Sequence, residues 1–192
     1  MKMLYSSKTK KDKIIFIDID GVLGDWIGNA CKTLALDIKD DRIRKQLKNG
    51  KKIEKLDSVD IDELWNKINK LGASWWEDIP LFSWAKDLIK EMQRIGEVCV
   101  LTSPGLDPES CSNACAGKVL WMAKHFPDIP YIIAHDKWLC ASKKAILIDD
   151  SKKKIKAFKK ANGKVFLWPN QYKIEDGDVP LESLINTLKR LI

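Results

Sequence analysis

The chain has 192 residues, 45% apolar and 32% charged, which fits one ordinary domain or one core with an inserted sub-domain and argues against a mainly disordered chain. Its formal net charge of +7 favours anionic partners such as nucleotides, phosphate esters or nucleic acid. No stretch has the apolar length of a membrane span and the N-terminus lacks the apolar core of a signal peptide, so a reduced, cytoplasmic protein with no membrane partner is expected.

In chain order, residues 14–19 form a β-branched apolar run that ends in a glycine turn and reads as a buried parallel strand. The stretch 25–80 is charged, helical in pattern and rich in tryptophan, which implies a helical cap inserted after the first strand. Residues 1–24 and 81–192 then make the core. A helix over 83–95 is expected from Trp84, Leu88, Met92 and Ile95, with Gly96 as its stop. Strands at 98–101, 131–133, 145–148 and 164–168 alternate with helices over 114–125 and 151–161, and a last helix covers 180–191. The expected fold is therefore α/β, a Rossmann-like three-layer parallel sheet with helices on both faces and a small helical cap.

Two lysine clusters stand out. Lys8, Lys10, Lys11 and Lys13 read as a solvated tail, and Lys152, Lys153, Lys154, Lys156, Lys159 and Lys160 as the solvated face of a helix. A nucleic-acid contact surface is the alternative for both. The five cysteines, Cys31, Cys99, Cys111, Cys115 and Cys140, are odd in number and irregular in spacing. With only His125 and His135 beside them, they make a poor zinc set.

Ligands of an open parallel sheet bind at the carboxyl ends of its strands. Here those ends carry Asp18-Ile19-Asp20-Gly21, Thr102-Ser103 and Asp149-Asp150. Four converging carboxylates repel one another and call for a cation, and an all-oxygen set suits magnesium. Asp18 and Asp20, two apart in an extended chain, point to one side. One can attack phosphorus while the other holds the leaving-group proton. Gly21 lets the chain turn tightly beside the phosphate. Thr102 and Ser103 can donate to phosphoryl oxygens, and a lysine would complete the cradle.

FIDIDGVLGDW at 16–26, VLTSP at 100–104 and ILIDDS at 146–151 resemble the three motifs of the haloacid dehalogenase (HAD) superfamily of phosphohydrolases. The resemblance implies Asp18 as nucleophile and Asp20 as general acid/base. It also implies a magnesium ion held by Asp18, the backbone oxygen of Asp20, and Asp149, with Asp150 supporting the metal. GKVLWMAKHFP at 117–127 and HDKW at 135–138 narrow the likeness to the 5′(3′)-deoxyribonucleotidase family, which dephosphorylates nucleoside monophosphates. By position, Lys137 matches that family's phosphate-binding lysine and Lys118 a second lysine near the substrate. A slightly long interval from Lys137 to Asp149 leaves Lys143 and Lys144 as competitors for the phosphate role.

In a capped phosphatase the leaving group sits between core and cap. Trp26, after the nucleophile loop, and Trp75-Trp76, at the return crossing, are placed to stack on a base, with Trp76 preferred. Holding the small core of the cap together is the competing role, and the expected one for Trp65. Trp84, Trp121, Trp138 and Trp168 are expected to pack the sheet and helices. The function implied is a magnesium-dependent phosphatase of nucleoside 5′-monophosphates, deoxyribonucleotides foremost, working through an aspartyl-phosphate. A phosphatase of nucleic-acid ends or of another small phosphate monoester is the second reading, and a non-catalytic binding module the third. A homodimer is compatible with all of these.

Overall fold

The computed structural model describes residues 12–56, 59–105 and 107–191. Lys8, Lys10 and Lys11 lie outside the described residues. Five parallel strands form one sheet: β1 (Ile14–Ile17), β2 (Glu97–Thr102), β3 (Tyr131–Ile133), β4 (Ala145–Asp149) and β5 (Lys164–Leu167). Their order is β3-β2-β1-β4-β5. The chain runs outward from β1 through β2 to β3, then crosses back to place β4 on the other flank of β1. The switch point thus falls beside β1, where an open α/β sheet leaves a crevice for a ligand.

Alternation along the central strands sorts side chains onto two faces. Ile15, Ile17, Val98, Val100, Ile146 and Ile148 join one apolar cluster, while Phe16, Cys99, Leu101, Leu147 and Phe158 join the other. Between β1 and β2 come α1 (Trp26–Thr33), α2 (Asp41–Lys48), α3 (Ile61–Leu71), α4 (Ala73–Glu77) and α5 (Ala85–Ile95). Asp25, Asp40 and Asp60 cap α1, α2 and α3 by accepting backbone N–H bonds, which satisfies donors that a helix start leaves open. Leu47, Ile53, Leu64 and Ile68 from this helical stretch belong to the same apolar cluster as Ile15 and Ile17. Its far side is tied down by charge: Lys48 pairs with Asp176 and Asp178, each at 2.8 Å, and Arg44 lies over the Tyr172 ring.

The other helices are α6 (Pro108–His125), α7 (Lys152–Lys160), α8 (Gln171–Glu175) and α9 (Leu181–Leu191). α6 starts six residues earlier than the apolar spacing indicates. Asp107 caps it and Pro108 opens it, a start that polar Ser110, Ser112 and Asn113 conceal from a periodicity reading. The 171–175 helix has no counterpart in the sequence reading, being a single capped turn too short to show a period. Strand β1 stops at Ile17 rather than at residue 19, although the Asp18 N–H still donates to Ile148 O at 3.0 Å. Trp84, Trp121 and Trp168 are buried as expected, but Trp138 is 45% exposed. It sits on the 3₁₀ turn Lys137–Cys140, and that turn directs its first residue inward instead. All five cysteines are free thiols. Among the described residues, no helix is long and apolar enough to cross a membrane.

Candidate active site

The strand ends bring the expected residues into one crevice. Asp18 follows β1, Thr102 ends β2, Asp149 ends β4, and all three are buried. Lys137 is buried with them and reaches two carboxylates at once: its Nζ lies 2.7 Å from Asp18 Oδ1 and 2.7 Å from Asp149 Oδ2. Burial alone would pull this ammonium down. The charges of Asp18 and Asp149 outweigh it and hold Lys137 above the ordinary lysine range.

Position separates the three candidate lysines. Lys144 O accepts from Ile14 N, and Lys144 Nζ lies 3.5 Å from Asp12, at the amino end of the sheet. Lys143 precedes it on the same approach to β4. Both competitors stand at the end opposite the crevice, and Lys137 is the one that enters it.

Lys118, from the middle of α6, is buried on the other side of the crevice. Its Nζ donates to Asp20 Oδ2 at 2.6 Å, to Thr102 Oγ1 at 2.9 Å and to the Ser103 carbonyl at 2.7 Å. Those are the three donors an ammonium has, so the protein itself uses the full set. The other Asp20 oxygen, Oδ1, is buried with no protein donor. Burial first, and the neighbouring Asp18 charge next, raise Asp20 above the usual carboxylate range, against the pull of Lys118.

Asp18, Asp149 and Asp150 each place a carboxylate oxygen within 4.8 Å of the others. Burial and then the Asp18 charge raise Asp149 to about 6. The same causes, joined by Asp149 and Asp20, raise Asp150 to about 8, although part of that residue remains open to solvent. Such crowding is the signature of an oxygen site that a cation would relieve. Gly21 makes the crowding feasible. It holds φ +76°, and a Cβ there would lie 2.5 Å from Asp150 Oδ2. The Asp20 carboxylate stands apart from this triad, engaged by Lys118.

Of the tryptophans, Trp76 is the one beside Lys118, whose Nζ lies 5.1 Å from its ring centroid, but the ring is buried rather than open to the crevice as base stacking requires. Its indole N–H is buried with no protein acceptor. Trp26 is half-buried and packs on Trp65 at 6.2 Å and on Trp75 at 5.8 Å between centroids. Trp75 donates to Thr33 Oγ1 and holds that cluster together.

One residue of the crevice escaped the sequence reading. Lys154, in the first turn of α7, contacts Ser103 Oγ and lies 3.4 Å from the His135 carbonyl. Its neighbours Lys152, Lys153 and Lys156 are exposed. The signal was present: Lys154 is four residues before the buried Phe158 and so shares the inward face of the helix.

A parallel sheet with this helical stretch after its first strand, and with paired aspartates on that strand's carboxyl end, defines a phosphatase of the haloacid dehalogenase type. The family model described as 5′ nucleotidase, deoxy (pyrimidine), cytosolic type C protein matches residues 12–178, and the chain belongs to that family. Among solved structures, a haloacid dehalogenase-like hydrolase from Xanthomonas campestris is 10% identical with TM-score 0.53, over 96% of this chain and 93% of that one. A haloacid dehalogenase-like protein from Streptococcus pneumoniae is 18% identical with TM-score 0.50, over 91% and 98%. At such identities the likeness is one of fold. No match was found among curated protein sequences.

Proposed function

We propose that this protein is a magnesium-dependent 5′-nucleotidase that hydrolyses nucleoside monophosphates, deoxyribonucleotides foremost, with Asp18 as the nucleophile. The observation that carries the reading is the Lys137 bridge between Asp18 and Asp149 at the end of β1. It fixes the Asp18 carboxylate at the strand end where a phosphate would meet it.

The triad of Asp18, Asp149 and Asp150 suits a divalent cation with oxygen ligands, and the Asp20 backbone carbonyl is the fourth expected ligand. When bound, magnesium would neutralise charge on the phosphoryl group. The protein's own residues do the rest. Lys137 and the Thr102 hydroxyl grip the phosphoryl oxygens, since Thr102 accepts from Lys118 and keeps its own proton to donate. Asp18 attacks phosphorus and the ester oxygen leaves, giving an aspartyl-phosphate on Asp18. Asp20, raised above the usual carboxylate range, gives that oxygen its proton. It then takes one from the water that hydrolyses the aspartyl-phosphate. Lys118 orients both Asp20 and Thr102 from behind. Trp76 is buried against Lys118 with an unused indole N–H, so the helical stretch would have to open to bring its ring to a base, and the nucleoside preference rests on the family. The stretch 25–80 is the cap that carries this choice.

A phosphate-release assay over a panel of nucleoside and sugar monophosphates with magnesium tests the proposal. Turnover of nucleoside monophosphates above sugar phosphates is expected. Turnover of sugar phosphates alone would overturn the substrate and leave the reaction class standing.

A further inference from the structure

We propose that Lys154 is a second phosphate-binding cation of this site, supplied by the basic helix α7 and paired with Ser103 at the mouth of the crevice. The inference rests on the phosphatase reading above and adds to it a residue that neither the motifs nor the family resemblance assigns.

Three observations support it. Lys154 Nζ is drawn in to Ser103 Oγ and toward the His135 carbonyl, while the lysines around it on α7 stay in solvent. Both of its contacts are neutral oxygens, and no carboxylate lies within ion-pair distance of it among the described residues. Lys137 and Lys118 repel this ammonium, and the carboxylates of Asp18 and Asp149, which lie beyond ion-pair distance, offset only part of that. Burial first and the charge of Lys137 next pull it below the ordinary lysine range. An anion arriving at that spot would relieve this.

The charge balance of the crevice points the same way. Four carboxylates, Asp18, Asp20, Asp149 and Asp150, face the ammonium groups of Lys118 and Lys137. With Asp20 protonated for its acid role, a bound divalent cation leaves that set one positive charge, so a phosphate dianion would still lack a cation. Lys118 has no donor left for it. Lys154 stands next to Ser103, one residue beyond the hydroxyl of Thr102, and can swing from Ser103 Oγ to a phosphoryl oxygen. The ligand class is thus a phosphate monoester or inorganic phosphate, gripped by Lys137 from below and Lys154 from the mouth.

Lys154→Met and Lys154→Arg would be compared with Lys153→Met and Lys156→Met, all in magnesium. Two quantities are read for each: KM for a phosphate monoester and the inhibition constant for inorganic phosphate. Loss of one charge-assisted contact predicts that Lys154→Met raises both by about tenfold or more. Lys154→Arg should recover most of the loss, and the Lys153 and Lys156 variants should match the parent. If both constants stay within about twofold of the parent, or if kcat falls while phosphate inhibition is unchanged, Lys154 only props Ser103 and the proposal fails. A binding readout covers the case in which the parent hydrolyses no monoester, which would sink the phosphatase reading instead. Acylation of Lys154, followed by peptide mass spectrometry, should be suppressed by inorganic phosphate with magnesium. Unchanged labelling would overturn the proposal.

Discussion

Lys118 Nζ lies 2.6 Å from Asp20 Oδ2, at the centre of a buried latch that also holds Thr102 and Ser103. The pair joins the middle of α6 to the loop after β1, so the helix and the proposed acid/base are set by one contact. Lys118→Met removes the charge that counters the upward pull on Asp20 and frees the Thr102 hydroxyl to rotate. We expect kcat to fall by about 10²-fold or more, with KM changed much less. Lys118→Arg should not restore it, because a planar guanidinium cannot aim three donors from one point. Steady-state kinetics on the three proteins decides this, and a KM-only effect would contradict it.

Gly117 sits one residue earlier, where α6 meets α4. A Cβ there would lie 2.2 Å from the Ala73 carbonyl and 2.4 Å from Trp76 Cβ. Backbone is one of the obstacles, so the helices must part. Gly117→Ala should cost about 1–3 kcal/mol, as overpacking does, and lower Tm by several degrees, about 2–10 °C. Trp76 should move with α4, so activity should drop as well. A Tm equal to the parent's in a thermal melt would mean that α4 and α6 are not packed this closely.

Magnesium should stabilise the protein in a pH-dependent way. Asp149 and Asp150 are raised to about 6 and about 8, from an unfolded value of 3.8. A raised acid favours folding while protonated. That contribution is complete below the unfolded value and is lost as pH rises through the folded ones. Without metal, the crowded carboxylates therefore weaken the fold progressively up to about pH 8. A cation binds the ionised forms and offsets the loss. At about a hundredfold over its Kd it contributes about 2.7 kcal/mol. The difference in Tm between magnesium and chelator should widen from about pH 5 to about pH 8. A difference that narrows over that range would speak against a carboxylate site.

Much of this was legible in the sequence because the chemistry sits at strand ends. Ile14–Ile17, Val98–Leu101 and Ala145–Ile148 are apolar runs cut short by polar residues, and those polar residues line the candidate site. Lys137 was preferred by its place in the motif, but spacing kept Lys143 and Lys144 as competitors, since only the fold shows which end of the sheet each reaches. Lys154 was lost for another reason. Six lysines within nine residues look uniformly solvated, and only the turn of α7 brings one of them inward. Trp138 shows the converse: its hydrophobicity argued for burial, but the 3₁₀ turn gives the inward place to Lys137. Trp26 and Trp75 form a cluster with Trp65, the packing role the sequence left open beside base stacking, because three helices must assemble before the two can be told apart.

The nucleophilic role proposed for Asp18 stands or falls with the variant Asp18→Asn. Lys137 keeps its 2.7 Å pair with Asp149 in that variant, so the fold should survive with a near-parental Tm. Turnover of a nucleoside monophosphate with magnesium should fall by at least about 10³-fold, since an amide cannot form the aspartyl-phosphate. Turnover within about tenfold of the parent's in a correctly folded Asp18→Asn protein would contradict the assignment.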